Sequence, residues 1–171
     1  MKSLGIAGTI GRFKPFHNGH AAMLESICAN AGHVYIGLGS PNKYDLRNPF
    51  TAKESADMID CVLKHKYKNY SFIEVPDFDD AILWRENTVK LFGSLDCFVT
   101  SNDYVVELLK SDYKIVHPFE IVSAEKLFPV TATRVRKLMS ESCQWGNFVP
   151  QEVKEYILAN RLDERFRKEF C

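Results

Sequence analysis

The stretch LGIAGTIGRFKPFHNGHAAMLESICANA, residues Leu4 to Ala31, passes from an apolar, β-branched run through one loop into a segment of helical period. Leu4 to Ile10 reads as a buried strand. From Gly19 to Ala31 the apolar residues Leu24, Ile27, Cys28 and Ala31 recur at the i, i+3, i+4, i+7 spacing of one helix face. The same alternation continues outward. His33 to Leu38 reads as a second strand, and Thr51 followed by Glu54 forms a capping box that opens a helix through about Lys64. Further strands are predicted at Tyr70 to Val75, Asp96 to Thr100 and Tyr113 to His117, with helices over 81–93 and 102–110. Strands that alternate with helices imply an α/β fold, a parallel sheet covered on both faces.

After Pro129 the pattern holds helices only. One starts near Thr131 or Thr133, one opens with Pro150 as its first helical residue, and a charged tail follows from Asp163. With no internal repeat, low-complexity segment or flexible linker, residues 130–171 are expected to form the helical C-terminal part of one domain spanning 1–171.

Composition narrows the function classes. The chain has 46% hydrophobic and 26% charged residues, the usage of a globular protein. Lys plus Arg and Asp plus Glu number 22 each, so no overall basic field favours nucleic acid or an anionic membrane as a partner. No apolar run approaches the ~20 residues of a membrane span, and the N-terminus lacks a signal-peptide core, so a cytoplasmic location is expected. Cys28, Cys61, Cys97, Cys143 and Cys171 are scattered and form no C-x-x-C pair. They read as buried or half-buried thiols, not as a disulfide framework or zinc site.

The chemistry concentrates in Gly11-Arg12-Phe13-Lys14-Pro15-Phe16-His17-Asn18-Gly19-His20, between the first strand and its helix. In an open α/β sheet this is the end where ligands bind. His17 and His20 stand at the start of the helix, Gly19 permits close approach of a ligand to the backbone, and Arg12 adds a cation. Free N–H groups, the helix dipole, two imidazoles and a guanidinium suit phosphate oxygens, and so a nucleotide. The P-loop pattern G-x-x-x-x-G-K-[ST] and the G-x-G-x-x-G fingerprint are both missing, which removes the usual markers of kinases and hydride-transfer enzymes. Thr131 and Thr133, with Arg134 and Arg136 in the same first turn, read as a second anion site at another helix start.

These residues resemble the H-x-G-H signature of the nucleotidylyltransferase superfamily. The longer form, G-R-F-x-P-F-H-x-G-H, is similar to that of its archaeal-type nicotinamide mononucleotide (NMN) adenylyltransferases. The resemblance runs along nearly the whole chain. Asn48-Pro49-Phe50-Thr51-Ala52 resembles the family's N-P-F-T-A element, although Lys53-Glu54-Ser55 stands where the family has G-E-R. Thr131-Ala132-Thr133-Arg134-Val135-Arg136 is similar to S-x-T-x-x-R, Thr100-Ser101-Asn102 to S-G-N, and Trp145 to Pro150 to W-x-x-L-V-P. Trp84 falls where the archaeal-type enzymes carry a tryptophan beside the nicotinamide ring.

The resemblance implies a Rossmann-like domain that transfers the adenylyl group of ATP to NMN, giving NAD and pyrophosphate. It implies catalytic roles for His17, His20 and Arg136, and ATP or phosphate contacts for Arg12, Gly19, Arg47, Thr131, Thr133 and Arg134. Trp84 and Asn102 are the implied acceptor contacts. Mg²⁺ is expected to bind mainly through nucleotide phosphates, with no dedicated protein ligands. ATP and NMN are the expected partners, and a homo-oligomer the expected assembly. Two competitors remain at this point: adenylyl or, with CTP, cytidylyl transfer to another phosphorylated acceptor such as flavin mononucleotide, phosphopantetheine or a sugar or glycerol phosphate, and a nucleotide sensor without turnover. Trp145 reads as packing, and His33, His65 and His117 as structural or surface residues. Asp77, Asp79 and Asp80 read as a solvated turn.

Overall fold

The computed structural model describes residues 4–126 and 128–171. The chain order is β1 (Ile6–Gly11), α1 (Asn18–Asn30), β2 (His33–Gly39), α2 (Ala52–Leu63), β3 (Tyr70–Val75), α3 (Ala81–Phe92), β4 (Cys97–Val99), α4 (Asp103–Leu109) and β5 (Ile115–Val116). Three helices follow: α5 (Ala132–Ser140), α6 (Gln151–Ala159) and α7 (Leu162–Phe170). All strands are parallel, in the order β3-β2-β1-β4-β5. The chain therefore winds outward from β1 to β3, then crosses back to β4 on the other side of β1. That reversal places a topological switch point between the C-terminal ends of β1 and β4, where an α/β sheet opens a ligand crevice.

Period-two alternation divides the core. Ala7 of β1, Val34, Ile36 and Leu38 of β2, and Cys97 and Val99 of β4 face one cluster with Leu24, Ile27, Met58 and Ile59 of α1 and α2. Val135, Met139, Val153, Ile157 and Phe166 join the same cluster, with α6 packed on α2 and α7 packed on α5 and α6. Phe98, between Cys97 and Val99, faces a smaller cluster with Trp84, Phe92, Val105 and Tyr113. Among the described residues no helix is long and apolar enough to cross a membrane.

The elements follow the alternation read from sequence, with local differences. β4 and β5 are shorter than expected, because the chain after β4 turns into α4 at its cap Asn102 and the chain after β5 turns at His117, the cap of a short helical turn over Pro118–Glu120. Pro150 is the cap residue of α6, not its first helical residue, since its ψ of 149° is extended. Helix α1 begins earlier than Gly19, with His17 as its cap. Cys28 and Cys97 are buried and Cys61 half-buried as expected, but Cys143 and Cys171 are exposed, one in a turn and one at the chain's last position.

Gly37 of β2 leaves room for Phe92 to lie on the sheet. A Cβ there would stand 2.9 Å from Phe92 Cζ and 3.1 Å from the Thr9 carbonyl oxygen. Gly37→Ala should therefore overpack the smaller core and lower stability by about 1–3 kcal/mol in urea titrations. Phe92→Leu added to it should restore part of the loss; a Gly37→Ala protein as stable as wild type would contradict this packing.

Candidate active site

The β1–α1 loop ends in a pair of interlocked histidines. His17 caps α1: its Nδ1 accepts from the His20 N–H (3.3 Å), and His20 Nδ1 accepts in return from the His17 N–H (3.4 Å). The two rings stack with centroids 3.5 Å apart, and the Phe13 ring meets His20 edge-on at 4.9 Å. An Nδ1 that accepts carries no proton, so each neutral ring keeps its proton on Nε2 as a donor. Burial lowers the His17 pKa to about 4, and burial followed by the neighbouring His17 lowers that of His20 well below its ordinary value. At neutral pH the pair supplies two uncharged N–H donors.

The opposite wall is the start of α5. Thr131 caps it, its Oγ1 accepting from the Arg134 N–H at 3.2 Å. Arg136, one turn further in, is buried; its Nη1 donates to the Lys14 carbonyl (2.8 Å) and its Nη2 to Thr133 Oγ1 (3.4 Å). A cleft of about 470 Å³ lies between the walls, lined by Arg12, His17, Gly19, His20, Thr131, Thr133 and Arg136. Arg12, Thr133 and Arg136 also line a neighbouring cavity of about 610 Å³, together with Arg47 and Lys137. A third cleft, about 330 Å³, lies across Arg12 at the end of the sheet and is lined by Trp84 and Asn102.

The electrostatics of this arrangement are one-sided. None of Arg12, Arg47 and Arg136 is in a salt bridge among the described residues. Burial above all, then Arg12 and Arg47, push the Arg136 pKa down against a weaker opposing pull from Asp45, so positive charge predominates around this guanidinium. A polyanion entering here relieves that repulsion.

Comparison with known proteins finds relatives in sequence and in fold. Residues 9–144 match the family described as cytidylyltransferase-like. The chain belongs to the cytidylyltransferase-like family.

Its relatives include proteins named nicotinamide-nucleotide adenylyltransferase. One from Methanococcus vannielii is 32% identical over 164 residues, covering 91% of this chain and 94% of that protein. One from Pyrococcus furiosus is 32% identical, covering 92% and 85%. Among solved structures, a bifunctional NMN adenylyltransferase/ADP-ribose pyrophosphatase from Francisella tularensis, complexed with AMP and a manganese ion, superposes with a TM-score of 0.71 at 18% identity. The match covers 99% of this chain but 53% of that one, so the chain spans about half its length, and at this identity the likeness concerns the fold. Membership of the family expected from the H-x-G-H stretch is thus met by relatives along the whole chain.

Of the residues singled out from sequence, the structure brings His17, Gly19, His20, Arg12, Thr131, Thr133 and Arg136 to one cleft, and Arg47 to the cavity beside it. Arg134 is not brought there. Two positions before Arg136 on a helix it faces away, and its guanidinium lies 4.7 Å from the centre of the Phe148 ring. Trp84 and Asn102 share the third cleft, Trp84 buried at its wall and Asn102 spending its Oδ1 on the cap of α4. Trp145 packs in the larger core. Asp77, read as part of a solvated turn, lines the third cleft instead.

Lys14 was not anticipated. It is buried, donates Nζ to the Ser40 carbonyl at 2.7 Å, and lines the 470 Å³ cleft; burial, then Arg12, lower its pKa to about 8. The only signal was its place inside the motif. Ser55, where the family has an arginine, is fully buried with its hydroxyl donating to the Arg12 carbonyl at 3.4 Å.

The folded pKa of His17, about 4, lies below the ordinary 6.5, so the unfolded chain takes up the proton first as pH falls. The stability contributed by the neutral ring is complete above pH 6.5 and is lost toward pH 4. Urea denaturation across this range should show wild type losing up to about 3 kcal/mol more than His17→Asn, whose amide caps without titrating. Parallel curves for the two proteins would rule out the buried neutral imidazole.

Proposed function

We propose that this chain, as one catalytic domain over residues 1–171, transfers the adenylyl group of ATP to NMN, giving NAD and pyrophosphate. The observation that carries the reading is the facing pair of anion sites: two neutral Nε2–H donors from His17 and His20 on one wall, Arg136 and the start of α5 on the other. The names of the archaeal relatives supply the acceptor.

The 5′-phosphate of the acceptor is already anionic, its second pKa being about 6, so it attacks the α-phosphorus without a general base. A phosphorus–oxygen bond forms to the acceptor as the bond to the pyrophosphate oxygen breaks, and the electron pair leaves with pyrophosphate. Catalysis then rests on alignment and on charge stabilisation. His17 and His20 donate to oxygens at the reacting phosphate; Arg12, Arg47 and Arg136 hold the outer phosphates; Thr131 and Thr133 contribute hydroxyls. Trp84 and Asn102 receive the nicotinamide nucleotide in the cleft across Arg12.

Among the described residues no carboxylate side chain lines the 470 Å³ cleft, and no group of three His, Cys, Asp or Glu could hold a metal ion. This lining suits a Mg²⁺ ion carried on phosphate oxygens and water, which offsets phosphate charge when bound. Self-association into a homo-oligomer and a cytoplasmic location belong to the same reading; light scattering checks the first and fractionation the second. Incubating the purified protein with ATP, Mg²⁺ and a panel of phosphorylated acceptors, then weighing the products, tests the reaction itself. NAD from NMN alone is the expected result; product from another acceptor, or none, would overturn it.

His20→Ala should lower kcat by a factor of about a hundred to a thousand with little change in ATP binding, the cost of one preorganised donor. Near-wild-type turnover in a folded variant would sink the assignment.

Trp84 is assigned to stack on the pyridinium ring, a cation–π contact of about 0.5–2 kcal/mol. Trp84→Leu should raise KM for NMN about 2- to 30-fold and leave KM for ATP unchanged, with Trp84→Phe retaining part of the effect. Trp84 also belongs to the smaller core. Thermal unfolding measured beside both constants therefore matters: a loss of stability with unaltered KM would make it a packing residue only.

A further inference from the structure

The segment between β2 and α2 carries Arg47 to the wall of the 610 Å³ cavity. It has little structure of its own. Asp45 and Asn48 exchange backbone hydrogen bonds, and Asp45 Oδ1 accepts from the N–H groups of Arg47 (2.8 Å) and Asn48 (2.9 Å). These bonds shape the turn but do not fasten it to the protein.

At its ends the segment is tied by Asn42, which exchanges hydrogen bonds with the Asp77 backbone (3.1 and 3.0 Å), and by the fully buried Phe50; around Arg47 itself the further fastening comes from α7. Arg165 forms a two-pronged pair with Glu54, Nη1 to Oε1 at 2.6 Å and Nη2 to Oε2 at 2.8 Å, and the same Nη2 donates to the Pro49 carbonyl at 3.0 Å. Its guanidinium carbon lies 5.9 Å from the centre of the Tyr44 ring. Tyr44 in turn donates its hydroxyl to Glu169 and meets the Phe170 ring at 5.3 Å. The helix therefore grips the segment at Tyr44 on one side of Arg47 and at Pro49 on the other. Phe166 and Phe170 of α7 also line the cavity that Arg47 faces.

We propose that Arg165 is a positioning residue for phosphate binding, which holds Arg47 at the cavity wall by tying Pro49 and Glu54 to α7. The inference rests on the reading of Arg47 as a contact to the phosphates of ATP. A purely structural ion pair would alter folding stability and leave substrate constants alone, whereas a positioning role acts through Arg47.

The test is a double-mutant cycle in the full chain, with Arg47→Ala, Arg165→Met and their combination, and with Arg165→Lys as a variant that keeps the charge. KM for ATP, KM for NMN, kcat and thermal unfolding are measured for each. Arg165→Met should raise KM for ATP about five- to tenfold and leave KM for NMN within about twofold. Arg165→Lys should recover only part, because a point charge cannot pair with both Glu54 oxygens and reach Pro49 as well. In the Arg47→Ala background, Arg165→Met should change KM for ATP by less than about twofold, since the side chain it positions is gone. Equal effects with and without Arg47, or an unchanged KM for ATP in folded Arg165→Met, would overturn the proposal. Should Arg165→Met fail to fold, Arg165→Lys is run through the same cycle under the same criteria. An Arg47→Ala protein with wild-type KM for ATP would instead remove the phosphate reading of Arg47, and the proposal with it.

Discussion

The buried hydrogen bond from Arg136 to the Lys14 carbonyl joins segments 122 positions apart in the chain. One segment ends in the histidine pair and the other opens α5, so this bond sets the width of the cleft between them. Arg136 can hold that place because Val135 and Met139 anchor the same helix in the larger core. The site is thus assembled by packing of the C-terminal helices, not by the β1–α1 loop alone.

That assembly works against local stability. Phe13 and Ser40 adopt left-handed backbone angles, φ 53° and 55°, at the ends of β1 and β2 where the chain turns into the site. A β-unbranched residue held there costs of order 1–3 kcal/mol. Lys14, buried between them, links the two turns through its bond to the Ser40 carbonyl. Crowded guanidinium groups add repulsion. The fold tolerates these costs because the larger apolar cluster runs from β1 to Phe166 and fixes the frame around them.

Much of this was legible in the sequence, and the reasons for the rest are specific. Strand and helix periods located β1 to α4, since burial on one face leaves a periodic mark. The motif residues marked the two helix starts that face each other across the cleft. What the sequence did not disclose depends on direction. Arg134 and Arg136 lie in the same short motif, yet only the helix turn decides that one meets the cleft and the other Phe148. Histidine is not among the usual capping residues, so the mutual cap of His17 and His20 had no propensity to announce it. Asp77 and Lys14 reach the site through tertiary contacts that no local pattern records. Ser55 belongs to the same class: it is fully buried with its hydroxyl on the Arg12 carbonyl, and the guanidinium that meets Glu54 arrives from Arg165.

The division of charge within the site bears on how adenylyl transfer would be accelerated. In the proposed reaction Arg12, Arg47 and Arg136 would attract phosphates in the ground state as well as in the transition state, and uniform attraction lowers KM without raising kcat. A neutral N–H adds little long-range attraction; its worth depends on direction and on how far charge has built up on the oxygen it faces. Such a donor must be rigid to be selective. In His17 and His20 each ring is fixed by a backbone N–H at its Nδ1, by its stacked partner, and by the aromatic rings of Phe13 and Phe16 around His20. Burial that suppresses protonation is therefore part of the same device. A charged imidazole would join the arginines in holding substrate, whereas a neutral, immobile one reserves its interaction for the geometry in which bonds are changing.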